Sequence, residues 1–211
     1  MKVSGLTKVL APVAIFAMSS VASANTPNPR EVYIQDINYN GSGCPLGTVA
    51  ENVSPDAKAF TLTFSDYIAE AGPGVSIRDG RRNCQVTLSL KVPQGWQYSV
   101  GTFDYRGYVF LDRGMRASHN TSYYFQGQGN TGRFASQMSG EIDRDYTFSD
   151  SIELGSLVWS SCNASRALNI NTAINVRNTN KRRYPDAEGL ITNDSIDGEI
   201  KHVFGIRWRR C

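Results

Sequence analysis

RRNCQVTLSLKVPQGWQYSVGT, residues 81–102, is the one segment of the chain in which hydrophobic period, turn chemistry and a cysteine agree. Cys84, Val86, Leu88, Leu90 and Val92 share one parity, while Gln85, Thr87, Ser89 and Lys91 share the other. That is the period of two of a half-buried strand, and a helix would scatter the same apolar residues around its circumference. Beyond Pro93-Gln94-Gly95 the alternation resumes with Trp96, Tyr98 and Val100, which predicts a β-hairpin. A two-residue loop would set Leu90 against Gln97 and mismatch the faces. A three-residue loop pairs Val92 with Trp96, Leu90 with Tyr98 and Leu88 with Val100, with Pro93 supplying a fixed φ and Gly95 the left-handed position.

Working outward, strands are expected at 31–38, 48–53, 58–65, 105–111, 146–152 and 154–159. Further strands are expected where Leu168, Ile170, Thr172, Ile174 and Val176 alternate, and where Ile200, His202, Phe204, Ile206 and Trp208 share a face. Residues 66–71 read as a short helical turn. The segments 72–82, 114–132 and 178–189 read as polar loops, the second interrupted by Tyr123, Tyr124 and Phe125. About ten short strands without a helical period predict an all-β fold, a single antiparallel β-sandwich or flattened barrel. No internal repeat is visible.

The termini and cysteines set the compartment. Lys2 and Lys8, the apolar run from Val9 to Met18 and Ala22-Ser23-Ala24 form a secretory leader, so residues 1–24 read as a signal peptide and 25–211 as one β-sandwich domain, secreted or periplasmic. The apolar run is far shorter than the ~20 residues of a spanning helix, so no membrane span is expected. Cleavage near Ala24 removes two of the 22 basic side chains and none of the 19 acidic ones. The exported chain is then close to charge balance, with little long-range pull on nucleic acid. Cys44, Cys84, Cys162 and Cys211 all lie in the exported part and read as two disulfides. Three connectivities are open; locality favours Cys44 with Cys84 and Cys162 with Cys211. No CxxC or HxxxH spacing supports a metal site, and no cofactor is implied.

The order of several short motifs adds a family. Gly43-Cys44-Pro45, Asn83-Cys84-Gln85 ahead of Pro93-x-Gly95, Tyr105-Arg106-Gly107, Trp159-Ser160-Ser161-Cys162 and the closing Trp208-Arg209-Arg210-Cys211 resemble the secreted domain of unknown function 4360 family of bacteria and fungi. Ser161 stands where Pro is more usual. The resemblance implies export and disulfides, and it brings no activity.

Catalytic groupings are thin. GxSxG, HExxH and triad-like arrangements are absent from the sequence, His119 falls in an expected loop, and His202 alternates with apolar residues. Asp143 with Asp145, and Asp194 with Asp197, are the nearest approach to a glycosidase pair or a calcium loop, and neither has the required spacing. No catalytic residue is assigned. The basic groups around Arg78–Arg82, Lys181–Arg183 and Arg207–Arg210 read as solvated faces. Asn40, Asn52, Asn120, Asn163 and Asn193 begin N-x-Ser/Thr triplets.

Tyr105, Tyr108, Tyr123 and Tyr124 are the ligand-binding candidates, set around the expected loop 113–134 as a shallow aromatic site for a glycan or an extracellular protein. The sequence therefore favours a non-enzymatic extracellular binding or interaction domain. The alternatives are a polysaccharide-directed hydrolase with carboxylates from separate strands, and a structural cell-surface protein.

Overall fold

The computed structural model describes residues 26–55, 59–151, 157–162, 166–193 and 200–211. Their regular structure is almost wholly strand: β1 (Tyr33–Asn40), β2 (Val49–Val53), β3 (Ala59–Phe64), β4 (Ile68–Ala71), β5 (Arg81–Lys91), β6 (Trp96–Leu111), β7 (Met115–Phe125), β8 (Gly132–Ser139), β9 (Ile142–Ser151), β10 (Leu168–Asn178), β11 (Gly189–Thr192) and β12 (Ile200–Arg210). One antiparallel sheet has the order β1-β5-β10-β7-β8. The other runs β2-β3-β12-β6-β11-β4, and β9 also pairs with β6. Neither sheet closes into a barrel.

Alternation explains how the two sheets stack. Val86, Leu88 and Leu90 of β5 and Leu168, Ile170, Ile174 and Val176 of β10 point inward, and Phe60, Leu62, Phe64, Val100, Tyr105, Val109 and Leu111 oppose them from the other sheet, all buried. Two tyrosine hydroxyls that enter this core are paired across it, as burial favours. The Tyr67 hydroxyl donates to the Thr172 carbonyl at 2.8 Å, and the Tyr105 hydroxyl to Thr121 Oγ1 at 3.0 Å. The Tyr98 ring meets Phe125 edge-on at 5.1 Å. Cys44 is bonded to Cys84, and Cys162 to Cys211.

The expected 81–102 hairpin is corrected. β5 pairs with β1 and β10, whereas β6 pairs with β12, β9 and β11, so Pro93-Gln94-Gly95 carries the chain from one sheet to the other. A period of two cannot distinguish these outcomes, because both a hairpin and a crossing connection turn alternate apolar residues toward the same core. The glycine requirement survives the correction. Gly95 has φ +80°, and a Cβ built there meets nothing within 4 Å, so substitution costs conformation and not space. Gly95→Val is expected to lower stability by about 2 kcal/mol, as a non-glycine residue in the left-handed region does; an unchanged urea midpoint would contradict it.

Three further expectations are corrected. Residues 114–132 are not a loop: β7 occupies most of them, with Met115, Ala117, His119, Thr121, Tyr123 and Phe125 all inward and buried. Ala, His and Thr at inward positions hide the hydrophobic alternation. Residues 68–71 form β4 where a helical turn was expected, because edge pairing with β11 satisfies their backbone. His119 is a core residue, 1% exposed, with Nε2 at 2.8 Å from Thr172 Oγ1 and its ring edge-on to Tyr105 at 4.1 Å. Burial lowers its pKa to about 3. The expected leader over 1–24, the first part of the 154–159 strand, Asn163, Asp194 and Asp197 lie outside the described residues, as does the side chain of His202.

Candidate functional site: the outer face of the five-stranded sheet

With one parity of each strand committed to the core, the other parity is fixed on the outer face. On β10, which is central in its sheet, that parity is Asn169, Asn171, Ala173, Asn175 and Arg177. The register then lays neighbours beside them in rows. Asn171 lies between Gln85 of β5 and Ser122 of β7, and Ser122 adjoins Arg133 of β8. Ala173 lies between Asn83 and Asn120, and Asn120 adjoins Ala135. Asn175 lies between Arg81 and Ser118, followed by Gln137, and Arg177 faces Arg116 directly.

Small side chains make this face hollow. Over Ala173 and Ala135 there is a depression of about 660 Å³ lined by Arg81, Asn83, Asn120, Ser122, Arg133 and Asn171. It adjoins a second, of about 460 Å³, which shares Arg81, Asn120 and Ala173 and adds Arg116, Asn175 and Arg177. The outward positions Asn169 to Asn175 alone span about 20 Å of strand. The Cys44–Cys84 bridge anchors one side. Gly43 N–H donates to the Asn83 carbonyl at 2.9 Å, and Ser42 Oγ accepts from the Asn83 N–H at 3.2 Å, so the 41–44 turn holds Asn83 at the rim. No Asp or Glu lines either depression. No group of His, Cys, Asp or Glu that could hold a metal occurs among the described residues.

The chemistry of such a surface follows from its groups. Each Asn or Gln amide offers two donors and an acceptor capable of two bonds, each Ser both donates and accepts, and each guanidinium donates in a planar fork. These match a ligand made of hydroxyls, ring oxygens and oxyanions. They offer little to an apolar protein patch.

The four tyrosines are not brought together. Tyr105 and Tyr123 are fully buried in the core, which corrects their assignment as ligand-facing: each sits on the inward parity of a strand, and burial raises the Tyr123 pKa. Tyr108 lies on the other sheet, its hydroxyl donating to Asp143 Oδ1 at 2.6 Å, a bond that raises its pKa. Tyr124 alone faces outward on the five-stranded sheet, opposite Asn169 and half-buried. Asp143 and Asp145 belong to β9, across the sandwich from the depressions. Of the glycosylation triplets, Asn120 is exposed in the hollow face, whereas Asn193 is fully buried with Oδ1 accepting from the Tyr146 hydroxyl.

The hollow face escaped sequence reading because Asn, Ser and Thr on the solvent parity look like any hydrated strand. One signal was present: β5, β7 and β10 carry almost no Lys, Asp or Glu at outward positions, where a merely solvated face commonly has them.

Comparison with known proteins gives a family and little else. The model of the family described as Domain of unknown function (DUF4360) matches residues 30–211. An uncharacterized secreted protein of Arthroderma benhamiae is 40% identical over 187 residues, covering 89% of this chain and 75% of that one. Among solved structures, TmCBM61 in complex with β-1,4-galactotriose is 11% identical, over 90% of this chain and 100% of that one, at a TM-score of 0.26. The agarase AgWH50C is 10% identical, over 87% and 23%, at 0.27. TM-scores this low carry no weight for fold or ligand. The secreted relative and the two disulfides fit an extracellular location.

Proposed function

This chain belongs to the DUF4360 family, and from that premise we propose that it is a non-enzymatic secreted binding protein, exported after cleavage near Ala24 as one sandwich domain, which holds an extracellular glycan on the outer face of the five-stranded sheet. The carrying observation is the continuous depression floored by Ala173 and Ala135 and walled by Asn83, Asn120, Ser122 and Asn171. Amide groups spaced by strand register at about 4.8 Å across and about 6.7 Å along the sheet meet a hydroxylated polymer at many points. Each such hydrogen bond contributes about 1 kcal/mol net, so affinity comes from their number and the ligand must be extended.

Titration of the exported chain with a panel of plant and fungal cell-wall oligosaccharides tests this. Asn120→Ala combined with Asn171→Ala is expected to weaken binding by roughly tenfold or more, from two lost bonds, with the melting temperature unchanged because both groups are solvent-facing. Failure of every oligosaccharide to bind, or a double variant that binds as wild type, would overturn the reading. Release of shortened sugar from any of them would replace binding by hydrolysis.

A further inference from the structure

Charge around the two depressions is one-sided, and resting on the glycan reading above, we infer that the ligand is a polyanionic glycan, bearing carboxylates or sulfates, engaged by Arg81, Arg116, Arg133 and Arg177. All four occupy outward positions and are exposed. Arg81, Arg116 and Arg177 converge on the second depression, and Arg81 and Arg133 stand on opposite sides of the first.

Two observations separate this cluster from an ordinary basic surface. Arg116 and Arg177 are direct cross-strand partners, an arrangement of like charges that destabilises a sheet unless a counter-charge is supplied. Among the described residues the ion pairs are Arg82 with Asp79 and Arg113 with Glu141, and none of the four enters either of them. Elsewhere the chain has ample carboxylates, 19 in all, yet none lines these depressions. A near-neutral protein has thus gathered cations over a concave floor of neutral amides, and a concavity focuses their field. A bound polyanion would supply the counter-charge that the protein does not.

The geometry favours a glycan over the other common polyanion. Single-stranded nucleic acid is held by aromatic platforms along a cationic groove, whereas the outward strand rings of this face, Tyr124 and Tyr33, both lie at the end away from Arg116 and Arg177. Uronates and sulfated sugars supply regularly spaced oxyanions, which a guanidinium takes in bidentate fashion, together with hydroxyls for Asn120, Asn171 and Asn175.

The test titrates the exported chain with oligogalacturonate, with sulfated galactan oligomers, with neutral β-1,4-galactan oligomers and with single-stranded DNA, at about 50 mM and about 300 mM salt. One acidic glycan is expected to bind at least roughly tenfold more tightly than the neutral one at low salt, with most of that advantage lost at high salt. R116Q/R177Q is expected to weaken the acidic glycan by roughly tenfold and the neutral one by much less, because glutamine keeps a hydrogen-bonding amide and removes only the charge, while its melting temperature holds or rises as repulsion is relieved. The uronate and sulfate arms identify which oxyanion is recognised. Equal affinity for neutral and acidic oligomers, unaltered in R116Q/R177Q, would overturn the polyanion while leaving glycan binding intact. Binding of no oligomer would remove both readings, and preference for DNA over every glycan would replace this one.

Discussion

C44A/C84A is expected to be less stable than wild type by about 4 kcal/mol or somewhat more, and to lose more than C162A/C211A does. Sequence separations of 40 and 49 residues give the two bridges nearly the same loop-closure entropy, about 4 kcal/mol each. Surroundings separate them. Cys44 and Cys84 are both 1% exposed inside the core cluster, beside a turn in which a Cβ on Gly43 would lie 2.2 Å from the Tyr67 ring. Removing two buried sulfurs there leaves a void in addition to the freed chain, and it loosens the end of the β1–β5 pair, where Asn40 meets Gln85. Cys162 and Cys211 are exposed, so their loss is close to the entropic value alone. Urea denaturation of both double variants measures the difference. Reductant without denaturant should open Cys162–Cys211 first and leave Cys44–Cys84 intact. Equal losses, or faster reduction of the buried pair, would contradict this.

The Cys44–Cys84 bridge also joins the fold to the candidate site, since its turn positions Asn83 at the rim of the hollow face. C44A/C84A protein that remains folded should therefore bind glycan more weakly, although both cysteines are buried.

How much of this was legible in the sequence depended on what occupied the inward parity. β5 and β10 were evident because Val, Leu and Ile alternate with polar residues, and both strands are flanked by partners that leave one face buried. β7 was not, because Ala117, His119 and Thr121 are weakly apolar and their burial comes from the opposing Tyr105 and its neighbours, which no local pattern displays. Sheet membership was equally hidden. Residues 92–95 serve a crossing between sheets as well as they serve a hairpin, and only long-range pairing decides between the two.

The site was hidden for the same reason at larger scale. Asn83, Asn120, Arg133 and Asn171 come from four strands, and their adjacency exists only once register aligns β5, β10, β7 and β8. Aromatic residues drew attention in the sequence because exposed rings bind sugars, yet a sandwich needs large side chains to fill its interior. Tyr105 and Tyr123 were used for that, leaving Tyr124 on the surface that the amides and arginines define.

His119 gives the second large effect, a loss of stability in acid. Its ring is fully buried between Tyr105 of β6 and Thr172 of β10, with Ile174 as its cross-strand partner on β10 and Ser136 on β8, and none of these supplies a carboxylate to balance an imidazolium. Burial holds its pKa at about 3, against an unfolded value near 6.5. The unfolded chain therefore binds a proton between those values that the folded chain refuses. The contribution of neutral His119 is complete above pH ~6.5 and declines as pH falls, by about 1.4 kcal/mol per unit, until the folded protein protonates near pH 3. At pH 4.5 the loss is about 3 kcal/mol, a large part of the stability of an ordinary domain. Urea midpoints of wild type and His119→Gln at pH 7 and pH 4.5 isolate this group from the other titrating residues: wild type should lose about 3 kcal/mol more than the variant across the interval. Should the variant fail to fold, the His119 ring resonances of wild type provide the same test, since they should show no titration while the folded protein is brought from pH 7 to pH 4.5. Parallel pH profiles for the two proteins, or a His119 resonance that titrates near pH 6, would refute the buried neutral imidazole.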